Sequence, residues 1–265
     1  MYTHPIFRLD EFEAWKNKQG PIKESSLHSS VKYCVETQKI KRLRRELFGA
    51  IPPNETSETA QFDPYLIAAK VVKDSVLAYH TALELHGVSY SSFGQFTFLT
   101  NSKIKPFEID ANWFQPVLMP KALKEKKSDG LYVREVNRQG LTIKITNIAR
   151  TYVDVIDRPD LSGGWEEVSR SINNIAVLNH EEVLEYCKIR DNSTLNAKVG
   201  YFLEQRKGAF APAKEIIHEL LELTPKSAQY IGNKGKEQHK LIKKWNLMVP
   251  VSVINQSWVE PDYDV

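Results

Sequence analysis

The chain has 265 residues, 42% hydrophobic and 26% charged, with a formal net charge of +3. That composition is ordinary for a globular protein, long enough for one large domain or two, and it excludes a disordered or collagen-like chain. No apolar run approaches the roughly 18 residues of a membrane span, and Cys34 and Cys187 stand far apart, with no Cys/His cluster at zinc spacing to suggest a disulfide or metal framework.

The N-terminus, Met1-Tyr2-Thr3-His4-Pro5, lacks the charged-then-apolar build of a secretion signal, so the expected location is cytoplasmic. Residues 8–19 place Leu9, Phe12, Ala14 and Trp15 around one side of a helix, with acids in its first turn and Gly20-Pro21 as its stop. A second helix is expected over about 24–38. Leu27, Val31, Cys34 and Val35 form its apolar stripe, and Ser25, Ser26, His28, Ser29, Lys32 and Tyr33 form the opposite face. Lys39, Lys41, Arg42, Arg44 and Arg45 follow, leading into the short apolar strand Leu47-Phe48-Gly49-Ala50-Ile51. Residues 1–53 hold ten Lys/Arg against six Asp/Glu, so this stretch is +4 and the remainder is −1.

Asn54 to Phe62 is polar and aperiodic and reads as a linker. Asp63-Pro64 opens the next helix, and a further one is expected over about 75–86, ending at Gly87. Residues 93–146 predict strands at 96–99, 107–109, 117–119, 131–133 and 141–145, punctuated by Gly, Pro and Asn. Helices are then expected at 147–157, 164–174, 180–190, 193–206 and 211–223, with 245–250 as a closing segment packed on the core. The expected fold class is α+β. A winged helix-turn-helix DNA-binding domain would occupy residues 1–54. A larger domain with a mostly antiparallel sheet would occupy 63–265, α+β to about 175 and mainly helical after that.

A helix followed by a basic hairpin suits double-stranded DNA. Short polar side chains on a helix can read base edges in the major groove, and cations beside it clamp phosphates and release counterions. Ser25, Ser26, His28, Ser29 and Lys32 are the candidate readers; Lys39, Lys41, Arg42, Arg44 and Arg45 are the candidate clamps. The same outline can equally serve as a pure protein-binding module, and the serines can be a plain solvated face.

A second constellation, Asp110, Glu125 and Lys127, loosely matches an Asp…Glu-x-Lys nuclease pattern able to hold Mg²⁺. Glu125 to Gly130 reads instead as an exposed charged turn, and chance matches are expected among 33 acids and 36 bases. Arg150 to Pro159 is best explained as a helix whose Asp154 or Asp157 pairs with Arg150 or Arg158, followed by a turn at Gly163-Gly164. Asn233 to Lys240, with Lys243 and Lys244, reads as a solvated helix face or a contact for nucleic acid or an acidic partner. The histidines are scattered, and His80 and His86 fall on different helix faces. No phosphate-binding Gly loop and no serine-nucleophile elbow is present, so no cofactor or metal is expected.

Several stretches together resemble a known family. They are Leu43 to Phe48 with Pro52-Pro53, Asp63 to Lys70, Leu77 to Gly87, Thr146 to Asp154, and Arg158-Pro159-Asp160-Leu161-Ser162-Gly163-Gly164-Trp165-Glu166-Glu167. Over residues 6–255 the chain is similar to the AbiEi antitoxins of AbiE type IV toxin–antitoxin systems. The resemblance implies a winged helix-turn-helix that binds promoter inverted repeats and represses its own operon. It also implies a C-terminal domain needed for antitoxicity, no catalysis, and a functional partner that is a nucleotidyltransferase toxin opposed without a stable complex. Such systems act in plasmid and genomic-island maintenance and in abortive phage defence. Where many members carry Gly after the paired arginines, this chain has Glu46, whose charge opposes a nearby phosphate.

Overall fold

The computed structural model describes residues 5–208, 211–232 and 238–256. The chain divides into two compact units that interleave in sequence: residues 1–77, 93–118 and 133–145 form one, and 78–92, 119–132 and 146–265 the other. The polar stretch 54–62 therefore lies inside the first unit.

The first unit begins with β1 (Ile6–Arg8), α1 (Leu9–Asn17), α2 (Glu24–Glu36), β2 (Ile40–Arg44) and β3 (Leu47–Ala50). Its three strands form an antiparallel sheet in the order β1-β3-β2. A small core of Phe7, Phe12, Leu27, Val31, Ile40, Phe48 and Ala50 joins the two helices to that sheet. Burying a side chain of this size contributes about 1.5–3 kcal/mol. Helix α2 stops earlier than its apolar spacing predicts, because Gln38 takes a left-handed φ of 52° and the Lys39 N–H turns back to the Cys34 carbonyl at 2.9 Å.

Beyond Phe62, whose ring packs so closely on Gly49 that a Cβ there would collide with it, come α3 (Pro64–Lys70), β4 (Val76–Leu77), β5 (Gln95–Thr100), β6 (Phe107–Ile109), β7 (Asn112–Leu118), β8 (Val133–Arg138) and β9 (Leu141–Thr146). Asp63 caps α3 by accepting from the Tyr65 N–H at 2.9 Å, with Pro64 at the first helical position. The strands form a six-stranded sheet in the order β6-β7-β5-β4-β9-β8. This sheet is mixed, with both antiparallel and parallel neighbours. The β6–β7 hairpin turns the chain back, so β7 runs parallel to β5 over six paired residues, and β4 pairs parallel with β9. The helix expected over 75–86 is shorter at its start: Val76 and Leu77 pair with Leu99 and Phe98 as a strand. Tyr79, at φ 56° and ψ −133°, breaks the chain before α4 (His80–Leu85).

That helix belongs to the second unit, with α5 (Lys121–Glu125), α6 (Ile148–Asp157), a 3-10 turn at Pro159–Ser162, α7 (Trp165–Asn173), α8 (His180–Arg190), α9 (Ser193–Glu204), α10 (Lys214–Glu222), β10 (Gln229–Tyr230), β11 (His239–Ile242), β12 (Leu247–Pro250) and α11 (Val251–Asn255). Asparagines start three of these helices: Asn147, Asn179 and Asn192 each accept a backbone N–H from three residues on. Every residue from Ala149 to Ile156 of α6 is buried. Within it Arg150 and Asp154 approach to 3.5 Å, and Asp154 also accepts from the Tyr186 hydroxyl at 2.8 Å and from Arg190 at 2.9 Å. Burial pushes the Asp154 carboxyl up, and the two guanidiniums counter it. Asp157 pairs with Arg190, while Arg158 pairs with Asp160 at 2.8 Å, so Arg158 is not the partner of either helix acid. Trp245, Leu247 and Val249 are fully buried, as expected of a closing segment.

Candidate nucleic-acid interface

Helix α2 has one buried edge, Leu27 and Val31, with Cys34 and Val35 partly covered. The 3.6-residue period then carries Ser25, Ser26, His28, Ser29 and Lys32 outward, and all five are exposed. Their local bonding is light. The Ser29 hydroxyl donates to the Ser25 carbonyl at 2.9 Å, His28 lies 3.8 Å from Glu24, and Lys32 lies 3.7 Å from Glu36. Contacts of this kind on a solvated helix face are worth a few tenths of a kcal/mol and are readily exchanged for a ligand.

The five cations that follow divide into two groups. Arg45 sits at the tip of the β2–β3 hairpin with its side chain 92% exposed. Arg42 is exposed, with its guanidinium 5.5 Å from the ring of its cross-strand neighbour Phe48. Lys39 is exposed beside the Tyr33 ring. The other two are engaged within their unit. Lys41 reaches Asp110 at 3.1 Å, and Arg44 lies flat over Phe107, 3.7 Å from the ring centroid. Partial burial there pulls the Arg44 pKa down. A bulge between Arg42 and Arg44 sets this division, since Arg42 pairs with Phe48 but Arg44 with Leu47, leaving Leu43 as the extra residue. Glu46 closes the hairpin at φ 61°, a left-handed turn position, and its carboxylate lies 3.6 Å from Arg8.

Beside the exposed face of α2 runs a groove of about 460 Å³ between α1 and α2, into which Trp15, Lys16, Ser29, Tyr33 and Lys39 project. Trp15 and Lys16 go unnoticed in sequence reasoning because Trp15 fits the apolar stripe of α1. Ala14, placed on the same side by spacing, is exposed.

The three residues of the nuclease-like pattern fall in different units. Asp110 occupies the β6–β7 turn of the first unit as the partner of Lys41. Glu125 and Lys127 belong to the second unit, where Glu125 pairs with Lys121 at 3.3 Å. Among the described residues there is no group of three or more His, Cys, Asp or Glu able to hold a metal ion. Of the lysine-rich segment, Asn233 to Glu237 lie outside the described residues; His239 and Lys240 lie on a strand rather than a helix, and Lys244 pairs with Glu204.

Two stretches that carry the sequence resemblance meet in the second unit. His80 at the start of α4 lies 3.5 Å from Glu84 and 3.8 Å from Glu167, and its Nε2 is 3.0 Å from the Ser91 carbonyl. The Glu167 carboxylate accepts from the Tyr90 and Ser91 N–H groups, each at 3.1 Å, and from the hydroxyls of Ser91 and Ser171. Four donors converge on one buried carboxylate, which closes the knot and pins residues 90–91 against α7.

No protein-family model matches the chain, and no curated protein does. Among solved structures it is similar to the RV2827C protein from Mycobacterium tuberculosis, with a TM-score of 0.62 and 14% identity, over 96% of this chain and 89% of that one. At that identity the likeness speaks to the fold alone. No helix among the described residues is long and apolar enough to cross a membrane.

Proposed function

We propose that this chain is a DNA-binding antitoxin of a type IV toxin–antitoxin system, which represses its own operon and opposes a nucleotidyltransferase toxin without catalysis of its own. The observation that carries the DNA half is the juxtaposition, in one small module, of an exposed Ser/His/Lys helix face with the exposed cations Lys39, Arg42 and Arg45. The order β1-α1-α2-β2-β3 with its antiparallel β1-β3-β2 sheet supports a winged helix-turn-helix. In that arrangement α2 enters the major groove and the β2–β3 hairpin is the wing. The finer fold and the promoter inverted repeats belong to this reading.

The antitoxin half is supported by the sequence resemblance, strongest in Tyr79 to Glu84 and Arg158 to Glu167. The DNA half is tested by gel shift with the DNA upstream of the chain's own gene against a scrambled duplex. Preferential, salt-sensitive binding is expected; equal affinity for both duplexes, or none at low salt, rejects repression. The antitoxin half is tested separately by co-expression with a nucleotidyltransferase from the same operon, where restored growth is expected and unrelieved arrest rejects it.

A further inference from the structure

The α1–α2 groove has a chemistry that the DNA reading does not use. Phe12, Trp15, Tyr33 and Cys34 supply its apolar lining, beside Ser29 and Ser30. Trp15 is 42% exposed and Tyr33 58%, a large aromatic area left in water beside a polar helix face. Lys16 stands 5.4 Å from the Trp15 ring, and Lys39 stands 5.3 Å from the Tyr33 ring. Neither ammonium has an ion-pair partner among the described residues, and no carboxylate lines the groove. An occupant that matches these features is apolar at its centre and anionic at its flanks. The outside of a duplex presents phosphates and sugar edges but nothing that fills an aromatic slot. A peptide with one aromatic side chain between carboxylates supplies both, and about 460 Å³ accommodates such an anchor.

We propose that this groove docks an acidic segment of a partner protein. An aromatic anchor sits between Trp15 and Tyr33, and flanking carboxylates pair with Lys16 and Lys39. Ser29 and Lys39 belong both to the groove and to the candidate DNA surface, so peptide and duplex exclude one another. That consequence, unlike the docking itself, rests on the DNA reading.

The test uses the full chain and a fluorescein-labelled nonapeptide of alternating Glu and Asp with Trp at its centre, followed by fluorescence anisotropy. Saturable binding is expected. It should weaken about fivefold or more in the Lys16→Ala/Lys39→Ala double variant, in Tyr33→Ala, and when the peptide's Trp is replaced by Ala. Trp15→Ala is the stronger lesion, but its ring touches core Phe12; the exposed Tyr33 keeps the test readable should that variant not fold. Absence of binding overturns the proposal. So does binding indifferent to both aromatic replacements, which is bare charge attraction. Tighter binding of a short oligothymidine strand, lost in Tyr33→Ala, assigns the groove to single-stranded nucleic acid instead. Because no duplex is present, the result is independent of whether the chain binds its promoter.

Discussion

Five cations fall between Lys39 and Arg45, yet what two of them do depends on residues far away in sequence. Arg44 stacks on Phe107 and Lys41 pairs with Asp110, 69 positions on. Replacing Arg44 by Ala should therefore lower stability by about 1 kcal/mol, the scale of a partly shielded cation–π contact, and leave the salt dependence of DNA binding unchanged. Arg45→Ala should do the reverse, with an unchanged urea midpoint and a log–log salt slope shallower by about 1. Equal slopes for the two variants would contradict the division between them. Glu167→Ala removes the shared acceptor of four donors, of which the Tyr90 N–H keeps the Ser171 hydroxyl, and should cost about 2–4 kcal/mol in urea unfolding; a loss under about 1 kcal/mol would show that the knot is not what holds residues 90–91. The outward-facing residues of α2 were legible because helical spacing alone orients them. The fates of Lys41 and Arg44 were not, because no local pattern encodes a contact with Phe107 or Asp110. His80 and Glu167 stood out in sequence as parts of recognisable stretches, but their meeting depends on how α4 packs near α7.

At the scale of elements, the long helices were legible. Asn147, Asn179 and Asn192 mark the starts of three of them. The start of the helix expected over 75–86 was misjudged because Val76 and Leu77 satisfy either period. The partners that make them a strand, Leu99, Phe98 and Ile145, are distant. The same non-local choice hid the parallel β5–β7 pairing: the periodic pattern shows that strands exist but not how they are ordered. The β6–β7 turn offers a direct check on local backbone chemistry. Asp110 and Ala111 both have positive φ, 46° and 63°, in a two-residue hairpin turn that favours Asn-Gly or Asp-Gly. Ala111→Gly should raise stability by about 1 kcal/mol in thermal or urea melts, since an L side chain there carries a steric cost of that order. A destabilised variant would mean that Ala111 makes a contact worth more than the strain.

For the whole molecule, the polar stretch 54–62 looks like a boundary by composition, but the first unit draws on residues on both sides of it. Phe62 packs on Gly49, the Arg8 guanidinium donates to the Val71 carbonyl at 2.9 Å, and Asp110 and Phe107 hold the basic strand. A fragment of residues 1–54 retains only the small core around Phe12 and Phe48, and a chain of that length is marginal without the contacts it loses. Its amide spectrum should be poorly dispersed and the full chain's well dispersed; a cooperatively melting fragment would show that the module is self-sufficient. The interleaving also sets a clock. At about 5–20 residues per second of synthesis, Asp110 is added roughly 3–14 s after Lys41, and the strands of 133–146 later still. During that interval the cationic hairpin has been made but its anchoring ring and carboxylate have not, so the surface we assign to DNA is completed only after residue 110 has been translated.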